Sequence, residues 1–321
     1  MYMFKYILKR LGLMLMTFSI IFVMCFVLIK LLPVDFTTAG FGQDKELLEI
    51  RIRERGYNEP ILKQLFLYVK RIVTQGDFGM GINMPEYRFK NVWDVFVEKL
   101  PPTILINIYS SLFSVPIGIG LGIFAALKKN KWQDHFISTA VMVFISVPAF
   151  VYASLLLYVV CFKWNLFPKT MDYGYDYFSA SMFKSMVPAV LAMSFGSIAG
   201  YARFTRAELT EVLTSEFMLL ARTKGLTKAQ ATTRHALRNA MVPIFPSIVG
   251  EFISVLSGSL IIEKIFSIPG VGGLYLAAIN APDYDFFMML SAFYLLVGLL
   301  AGLVIDLSYG VIDPRIRMGA K

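Results

Sequence analysis

Residues 219–243 read LLARTKGLTKAQATTRHALRNAMVP, a basic segment with the spacing of a helix. The segment lies between two long apolar stretches, at 186–202 and 242–262. In membrane proteins, short loops that carry Lys and Arg stay on the cytoplasmic side. The pattern therefore predicts a structured cytoplasmic loop between two membrane spans, at a place where a cytoplasmic partner can push.

The rest of the chain is apolar enough to be embedded in a bilayer. Hydrophobic residues make up 57% of the 321 positions, and the mean hydropathy is +0.63. Stretches of about 20 apolar residues are long enough to cross the hydrocarbon core as a helix. Six such stretches are predicted, at 11–32, 103–127, 136–162, 186–202, 242–262 and 287–309. The predicted fold class is an all-α polytopic membrane protein with six transmembrane helices. The first stretch is too long for a signal peptide and is not followed by an Ala-x-Ala-like site, so it is expected to be the first span.

The net charge of +9 follows the predicted topology. Basic residues are concentrated before the first span, after the second, between residues 203 and 241, and after the sixth. These segments alternate with the others, so the positive-inside rule predicts that both termini are cytoplasmic. Residues 33–102, on the opposite side, hold ten basic and ten acidic residues. Membrane orientation therefore explains the excess charge, and nucleic-acid binding is not expected.

The chain is expected to have three parts. Residues 1–34 hold the N-terminal segment and the first span, 35–102 form a long extracytoplasmic loop, and 103–321 form a core that includes the cytoplasmic loop 203–241. Within the outer loop, Asn58 and Pro60 predict a helix start and Gly76 predicts its end. Apolar residues recur at helical spacing in between, at Ile61, Leu62, Leu65, Phe66, Val69 and Ile72. The expected structure is a helix on the outer membrane surface, packed on its own protein, and a platform for an external partner is the compatible alternative.

The sequence predicts no metal site, disulfide or bound cofactor. Cys25 and Cys161 lie inside apolar spans, and His135 and His235 are isolated. No phosphate-binding glycine loop is followed by Lys and Ser or Thr. The chain itself is therefore not expected to be an enzyme.

Charged residues in the spans also argue against an ion-coupled carrier. Lys30 and Asp306 lie near span ends, and no convincing set of ionisable residues lies near mid-membrane. Energy for any transport is therefore expected to come from elsewhere. Small residues do recur at four-residue spacing, at Gly118 and Gly122, at Ala192, Gly196 and Gly200, at Gly250, Ser254 and Gly258, and at Gly298 and Gly302. Such faces allow close helix packing, within the chain or against a second membrane subunit.

The cytoplasmic loop is predicted to contain two capped helices. Ser215 and Glu216 favour a helix start, and Gly225 follows Arg222 and Lys224 as a stop signal. A second helix is expected at Thr227, with Gln230 completing a capping box. Phe217, Leu220 and Ala221 are predicted to form an apolar face on the first helix. A docking element is favoured, and a helix lying on the membrane is the alternative.

This loop resembles the cytoplasmic coupling loop of ABC importer permeases of the oligopeptide/dipeptide/nickel branch. That branch reads close to T-A-R-A-K-G-L-S and then R-H-A-L-R-N-A-L-L-P. The matching residues are Ala221, Arg222, Lys224, Gly225 and Leu226, followed by Arg234, His235, Ala236, Leu237, Arg238, Asn239, Ala240 and Pro243. The general family signature begins Glu-Ala-Ala, where this chain has Leu219-Leu220-Ala221, a departure that is usual in this branch.

Four further motifs extend the resemblance over nearly the whole chain. Residues 76–79 resemble the G-D-L-G motif, and residues 100–103 resemble L-P-A-T. Residues 263–272, EKIFSIPGVG, resemble the E-x-x-F-x-x-P-G-x-G signature. Residues 306–317 resemble the C-terminal D-x-x-Y…D-P-R-I-R. Five motifs in order identify the chain as similar to the first, or B-type, permease subunit of an oligopeptide permease.

The resemblance implies a type I ABC importer permease fold and a defined set of partners. These are a second, C-type permease subunit, two cytoplasmic ATPase subunits that hydrolyse ATP, an extracytoplasmic substrate-binding protein, a peptide substrate and membrane lipid. The implied ATPase-coupling residues are Glu216, Phe217, Leu220, Ala221, Arg222, Lys224, Gly225 and Leu226. Ala221 would allow close approach to the ATPase, and Arg222 and Lys224 would pair with its acidic groups or with lipid headgroups.

A second implied site is a gate or binding-protein contact at Glu263, Phe266, Pro269, Gly270 and Gly272, for which a rigid rim is the alternative. Import of nickel or another metal chelate, glutathione or haem is an alternative within the family. An ion-coupled secondary transporter is the alternative from another class, and a membrane scaffold leaves the ordered loop unexplained. The implied location is the bacterial cytoplasmic membrane.

Overall fold

The computed structural model describes residues 2–32, 45–172 and 178–312, and these ranges are mostly helical. The α-helices are α1 (Tyr2–Leu31), α2 (Lys45–Arg55), α3 (Ile61–Gln75), α4 (Val92–Leu127), α5 (Trp132–Ser146), α6 (Ala149–Leu156), α7 (Ala180–Leu213), α8 (Glu216–Thr223), α9 (Lys228–Ala231), α10 (Leu237–Ser254), α11 (Leu260–Ile265), α12 (Val271–Asn280) and α13 (Tyr284–Ile312). Short 3-10 helices lie at Pro85–Tyr87 and Val255–Ser257, and π-helical turns lie at Leu157–Lys163 and Thr232–Ala236.

Within these ranges, five helical stretches are long and apolar enough to cross a membrane, at Tyr6–Leu31, Val92–Leu127, Ala180–Leu213, Lys228–Ser257 and Tyr284–Gly310. The predicted third span is instead a pair of helices, Trp132–Ser146 and Ala149–Lys163, bent by 97°. The bend lies at Val147 and Pro148, because a residue before proline is disfavoured in the helical region. Counting the pair as one span gives six, so the predicted all-α polytopic fold class is confirmed.

Three predicted spans differ most from the structure in their bounds. The second, predicted over 103–127, is part of a longer helix, because α4 extends from Val92 to Leu127. The fourth stretch, predicted over 186–202, belongs to a longer helix, because α7 extends from Ala180 to Leu213. The fifth, predicted to start at Val242, is part of helical structure that is continuous from Lys228, because the second loop helix runs directly into α10. It ends at Ser257 rather than Ile262, since Gly258 has a left-handed φ of 63° that interrupts the helix.

The chain divides into two compact units. The first comprises residues 1–101 and 269–299, and the second comprises 102–268 and 300–321. In the first unit, the start of α4 packs against α12 and α13 through a core that includes Val92, Phe96, Val271, Phe286 and Leu290. A second core joins α1, α3 and α13 through Phe26, Ile29, Tyr68 and Met288.

Helix α3 is the amphipathic helix predicted in the outer loop. It ends where predicted, because Gly76 adopts a φ of 63° and donates its N–H to the Ile72 carbonyl at 3.0 Å. The start differs from the prediction, since Pro60 rather than Asn58 occupies the N-cap position. One side of α3 packs on its own unit through Leu65, Tyr68 and Ile72. The other side has large apolar side chains in exposed positions, in agreement with a helix that lies on a membrane surface. These side chains are Leu62, Phe66, Val69 and Val73.

The segment 76–79, which carries the G-D-F-G sequence, packs against the buried carboxylate of Asp285 in the first unit. Asp285 accepts the N–H of Met80 at 3.1 Å, and its Oδ2 lies 3.4 Å from the Arg55 guanidinium. Gly79 has a φ of 105°, and a Cβ at this position would overlap the Asp285 carboxylate. Glycine is therefore required at position 79, because it tolerates the positive φ and because it leaves room for the Asp285 carboxylate.

The second unit contains close helix crossings at small residues. A Cβ at Gly118 or Gly122 of α4 would lie 2.7 Å or 2.6 Å from the Cβ of Tyr201 or Thr205 on α7. A Cβ at Gly250 of α10 would lie 2.6 Å from Ile305. Among the described residues, Gly200, Gly298 and Gly302 have no such neighbour within 4 Å. Part of the predicted small-residue pattern therefore serves packing within the chain, and part of it lies on open faces.

Candidate functional site

The first loop helix, α8, is closed at its C-terminus by a hydrogen-bonded glycine turn. The Gly225 N–H donates to the Arg222 carbonyl at 3.0 Å, and the Leu226 N–H donates to the Ala221 carbonyl at 3.3 Å. These two bonds form a Schellman motif, in which the residue after the cap adopts a left-handed conformation. Gly225 does so with a φ of 90°. The predicted glycine stop is confirmed.

The N-terminus of α8 differs from the prediction. Ser215 occupies the N-cap position with an extended ψ of 154°, but its side chain makes no capping bond. Its Oγ donates instead to the Val212 carbonyl, at 2.6 Å, at the end of α7. The hydroxyl therefore stabilises the α7–α8 junction rather than the free N–H groups of α8.

The second loop helix begins with the predicted capping box. The Gln230 N–H donates to Thr227 Oγ1 at 3.3 Å, and the Thr227 N–H donates to Gln230 Oε1 at 3.0 Å. The short α9 then continues through a π-helical turn at Thr232–Ala236 into α10. The loop is consequently joined to the fifth span by unbroken helical backbone.

The inner face of the loop is packed into the second unit. Met218 and Ala221 of α8 are 4% and 8% exposed, and they share a core with Ala126 of α4, Leu209 of α7 and Ala240 of α10. The predicted single apolar face of Phe217, Leu220 and Ala221 is therefore wrong. Ala221 faces its own chain, because it lies on the same side of the helix as Met218, so its small side chain serves internal packing.

The outer face of α8 is apolar with charged ends. Phe217, Leu219 and Leu220 are exposed, Leu220 by 56%. The exposed charged side chains are Glu216 in the first turn and Arg222 and Lys224 at the end. This order of charges is favourable for the helix dipole. Large apolar side chains that are exposed on a loop are typical of a surface that binds a partner.

A cleft of about 590 Å³ lies beside this helix, within the second unit. One wall is the turn after α4, with Lys129 and Lys131, and the other is the loop, with Glu216, Arg222 and Lys228. Four of these five charged side chains are basic, so the cleft is lined mainly by positive charge.

The second predicted site contains mainly buried residues. In the second unit, Glu263 is 2% exposed and its Oε1 accepts a hydrogen bond from Thr103 Oγ1 at 3.0 Å. Phe266 is also buried, in a core with Ile106 and Met186. A Cβ at Gly258 would overlap the Glu263 carboxylate, so this glycine permits the approach. Glu263 and Phe266 thus hold their segment against its own unit.

The remaining three residues of that prediction belong to the first unit. Gly270 is the N-cap of α12, Gly272 lies in its first turn, and both are buried, whereas Pro269 is partly buried. A buried residue of this chain has no side-chain surface that an external protein can contact. The gate or binding-protein contact stays a prediction, and the burial favours the rigid-rim alternative.

Other sequence motifs fall partly outside the described residues. Asp306 and Tyr309 lie in α13, but the D-P-R-I-R segment at 313–317 lies beyond residue 312, as do the basic residues Arg315, Arg317 and Lys321. Among residues 2–32, 45–172 and 178–312, no group of three His, Cys, Asp or Glu side chains is positioned to hold a metal ion.

One ionisable residue inside the fifth span was not singled out from the sequence. Glu251 lies in α10, six residues before Ser257, the end of the fifth span. Its Oε1 accepts a hydrogen bond from Ser197 Oγ of α7 at 3.1 Å. A charged residue within an apolar stretch is a visible sequence signal. Here a single Glu changes the average hydropathy of the stretch too little to stand out.

Comparisons with known proteins agree with this architecture. Residues 118–318 match the family described as "Binding-protein-dependent transport system inner membrane component". Residues 3–107 match the N-terminal family "Binding-prot-dependent transport system membrane comp, N-term". The two matches together extend over nearly the full chain.

Three curated relatives match over almost their whole length. The dipeptide transport system permease protein DppB of Lactococcus lactis is 34% identical over 317 residues, covering 98% of this chain and 100% of the relative. The protein of the same name in Bacillus subtilis is 32% identical, covering 99% of this chain and 100% of the relative. The glutathione transport system permease protein GsiC of Escherichia coli K12 is 31% identical, covering 98% of this chain and 99% of the relative.

A solved structure shares the fold at lower identity. A chain in the crystal structure of an amino acid ABC transporter with histidines aligns with a TM-score of 0.50 and 21% identity, covering 68% of this chain and 94% of that chain. The likeness supports the type I permease fold. Because the family models match most of the chain and relatives above 30% identity align along its full length, the chain belongs to the binding-protein-dependent transport system inner membrane components, as a multi-pass permease subunit of an ABC importer in the branch that contains the dipeptide permeases.

Proposed function

We propose that this chain forms half of the translocation path of an ATP-driven peptide importer and that the outer face of α8 binds a cytoplasmic ATPase subunit. The observation that carries the proposal is the division of α8 into a buried inner face and an exposed apolar outer face. A helix with this division can bind a partner on one side while it transmits force on the other.

The packing of α8 supplies the path for that force. Met218 and Ala221 contact a core that includes Leu209 of α7 and Ala240 of α10. Interiors of this kind are close-packed and transmit displacement instead of absorbing it. Movement of α8 by an ATPase would therefore displace the cytoplasmic ends of α7 and α10 together, which changes the accessibility of a path between subunits.

The charged ends of α8 are proposed to orient the ATPase. Arg222 and Lys224 are exposed and lie at the C-terminal end, next to the glycine turn. Acidic groups of a partner would pair with them, while Phe217 and Leu220 fill an apolar groove. Charged pairs at the rim of an interface set the orientation and the association rate more than the affinity.

The proposed assembly contains further subunits. A second, C-type permease completes the path, two ATPases hydrolyse ATP, and an extracytoplasmic binding protein delivers the substrate. Membership of a binding-protein-dependent family supports the last two partners. Open faces at Gly200, Gly298 and Gly302 support close contact with a second membrane subunit. The positive cytoplasmic segments support the placement of both termini in the cytoplasm.

The proposed substrates are dipeptides and short oligopeptides. Two relatives at 34% and 32% identity are described as dipeptide permeases. Glutathione is the second candidate, because a relative at 31% identity is described as a glutathione permease. Glutathione is itself a small peptide with a free amino group, so both candidates require the same kind of path.

The test is uptake by the complete complex in proteoliposomes. The chain is reconstituted with its second permease and ATPase subunits, and the binding protein is saturated with a labelled dipeptide or with glutathione. Uptake that requires ATP hydrolysis and saturates with one of these substrates is expected. Uptake of neither substrate by a complex that hydrolyses ATP would contradict the assignment to peptides.

A further inference from the structure

Glu251 places a carboxylate side chain in α10, an apolar helix of the second unit. It lies six residues before Ser257, where the fifth span ends in the structure, which is about 9 Å at a rise of about 1.5 Å per residue. Because the hydrocarbon core is about 30 Å thick, this depth lies inside the apolar part of the bilayer and not at its surface. An ionisable side chain at such a depth is costly and usually faces a water-filled cavity or a partner.

The carboxylate is held by a neutral hydrogen-bond donor. Ser197 donates its hydroxyl to Glu251 Oε1 at 3.1 Å. Among residues 2–32, 45–172 and 178–312, no Lys or Arg side chain forms an ion pair with Glu251. An ionised carboxylate has about four acceptor positions, so most of them are left available by the described part of the chain.

A second polar contact joins α7 and α10 next to Glu251. The Tyr201 hydroxyl donates to the Ser247 carbonyl at 3.1 Å, one turn away from the Ser197–Glu251 pair. Both Ser197 and Glu251 are only partly buried, so the carboxylate retains an open side. Gly200, about one turn along α7 from Ser197, also has an open face within the described part of the chain. Ser197 thus orients the carboxylate, and one side of it is left uncovered.

We propose that Glu251 binds the ammonium group of the peptide substrate as it crosses the membrane. This inference rests on the proposed function, since it names the substrate group recognised in the same path. A peptide α-amino group carries three N–H donors on a compact positive charge, which complements an oriented carboxylate. Ser197 acts as a positioning residue that holds Oε1 while the other carboxylate positions receive the ammonium.

The experiment compares two labelled dipeptides that differ only in the ammonium group. One has a free N-terminus and the other is N-acetylated, and the binding protein is saturated with each, as measured separately. ATP-dependent uptake is determined for the wild-type complex and for Glu251→Gln, which keeps the acceptor for Ser197 and removes the charge. Ser197→Ala is measured in parallel, and co-purification of all subunits verifies assembly.

We expect Glu251→Gln to reduce uptake of the free-amine dipeptide roughly tenfold or more, since a hydrogen bond to a charged group is lost. The ratio of free to acetylated uptake should fall by the same factor, because the acetylated peptide has no charge to lose. Ser197→Ala should reduce the ratio less. An unchanged ratio in Glu251→Gln, with or without loss of total uptake, would overturn the inference and leave a packing role or a pair with the second permease subunit.

The same measurement separates this inference from the proposed function. If the wild-type complex imports the free dipeptide with ATP and Glu251→Gln does so equally well, only the role of Glu251 is refuted. If the assembled wild-type complex imports no peptide, the proposed function fails and the named substrate group fails with it.

Discussion

Gly118 of α4 faces Tyr201 of α7 so closely that a Cβ at Gly118 would lie 2.7 Å from the Tyr201 Cβ and 2.8 Å from the Ile198 carbonyl oxygen. The crossing is therefore tight against backbone as well as side chain, and it cannot relax by a rotamer change. Gly120, two residues away on the same helix, has no neighbour within 4 Å among the described residues. The two glycines form a matched pair for a test of helix packing.

Gly118→Leu is predicted to destabilise the second unit by about 3 kcal/mol or more, since overpacking a tight core typically costs about 1–3 kcal/mol and backbone is the obstacle here. Gly120→Leu should change stability by less than about 1 kcal/mol. Thermal unfolding of the two purified variants in detergent provides the comparison. Equal stability of both variants would show that α4 and α7 do not approach as described.

Gly225 can be tested by its backbone conformation alone. Its φ is 90°, but among the described residues only its two chain neighbours lie within 4 Å of the position that a Cβ would occupy, so any penalty comes from strain and not from a clash. Gly225→Ala should weaken the α8 turn by about 1–2 kcal/mol, whereas Gly225→Asn should cost less, because Asn tolerates the left-handed region. Limited proteolysis at the loop should rank wild type, Asn and Ala in that order of resistance. A more resistant Ala variant would contradict the Schellman turn.

Asp283 is predicted to hold the outer segment of the first unit. Its Oδ2 accepts backbone N–H groups of Ile82 at 2.7 Å, Asn83 at 2.8 Å and Met84 at 3.4 Å. Asp283→Ala leaves these donors without a partner and should cost about 3 kcal/mol. Asp94→Ala, at an exposed site in the same unit, should stay within about 0.5 kcal/mol. Hydrogen exchange at residues 82–84 is the direct measurement, and unchanged protection in Asp283→Ala would refute the role.

The titration of Asp283 gives a pH dependence with a definite sign. Burial raises the pKa of Asp283 to about 6, although the backbone N–H groups of Ile82 and Asn83 lower it. The folded state then binds a proton more strongly than the unfolded state, whose Asp pKa is about 3.9. The contribution of Asp283 to the free energy of unfolding is therefore largest below pH ~4, and it is lost as the pH rises through ~6.

The comparison uses Asp283→Asn, which keeps the acceptor oxygen and cannot titrate. The difference in melting temperature between the wild type and this variant should decrease as the pH rises from about 4 through about 6. It should become constant at the pH where Asp283 is deprotonated in both the folded and the unfolded state. Because all other groups titrate in both proteins, the difference isolates Asp283. A relative melting temperature that rises over this interval would contradict the buried carboxylate.

The sequence predicted the fold class because apolar length and charge asymmetry are local signals. The loop was also readable, since Gly225 and the Thr227–Gln230 capping box act within a few residues. The bend at Pro148 and the early end of the fifth span at Gly258 were not predicted, because hydropathy does not distinguish a straight helix from a broken one.

The errors at the candidate site have a tertiary cause. Ala221 belongs to the same apolar pattern as Phe217 and Leu220, yet only Ala221 of the three is buried, because Leu209 and Ala126 lie on its side of α8. Ser215 was predicted to cap α8, but its hydroxyl donates to the Val212 carbonyl of α7, which lies next to it at the junction of the two helices. Glu263 is also held by a distant residue, because its buried carboxylate accepts a hydrogen bond from Thr103, which lies 160 positions earlier in the chain.

The most direct test of the account is ATPase retention by Leu220→Glu, compared with Leu62→Glu. Both leucines are exposed, Leu220 by 56% on α8 and Leu62 by 77% on α3, and the proposed topology puts them on opposite sides of the membrane. Each variant is co-purified with the second permease subunit and the ATPases, and ATP-dependent peptide uptake is measured on the product. We predict that Leu220→Glu keeps the second permease but loses the ATPases and uptake, whereas Leu62→Glu retains the ATPases. Retention of the ATPases with normal uptake in Leu220→Glu would contradict the coupling role of α8.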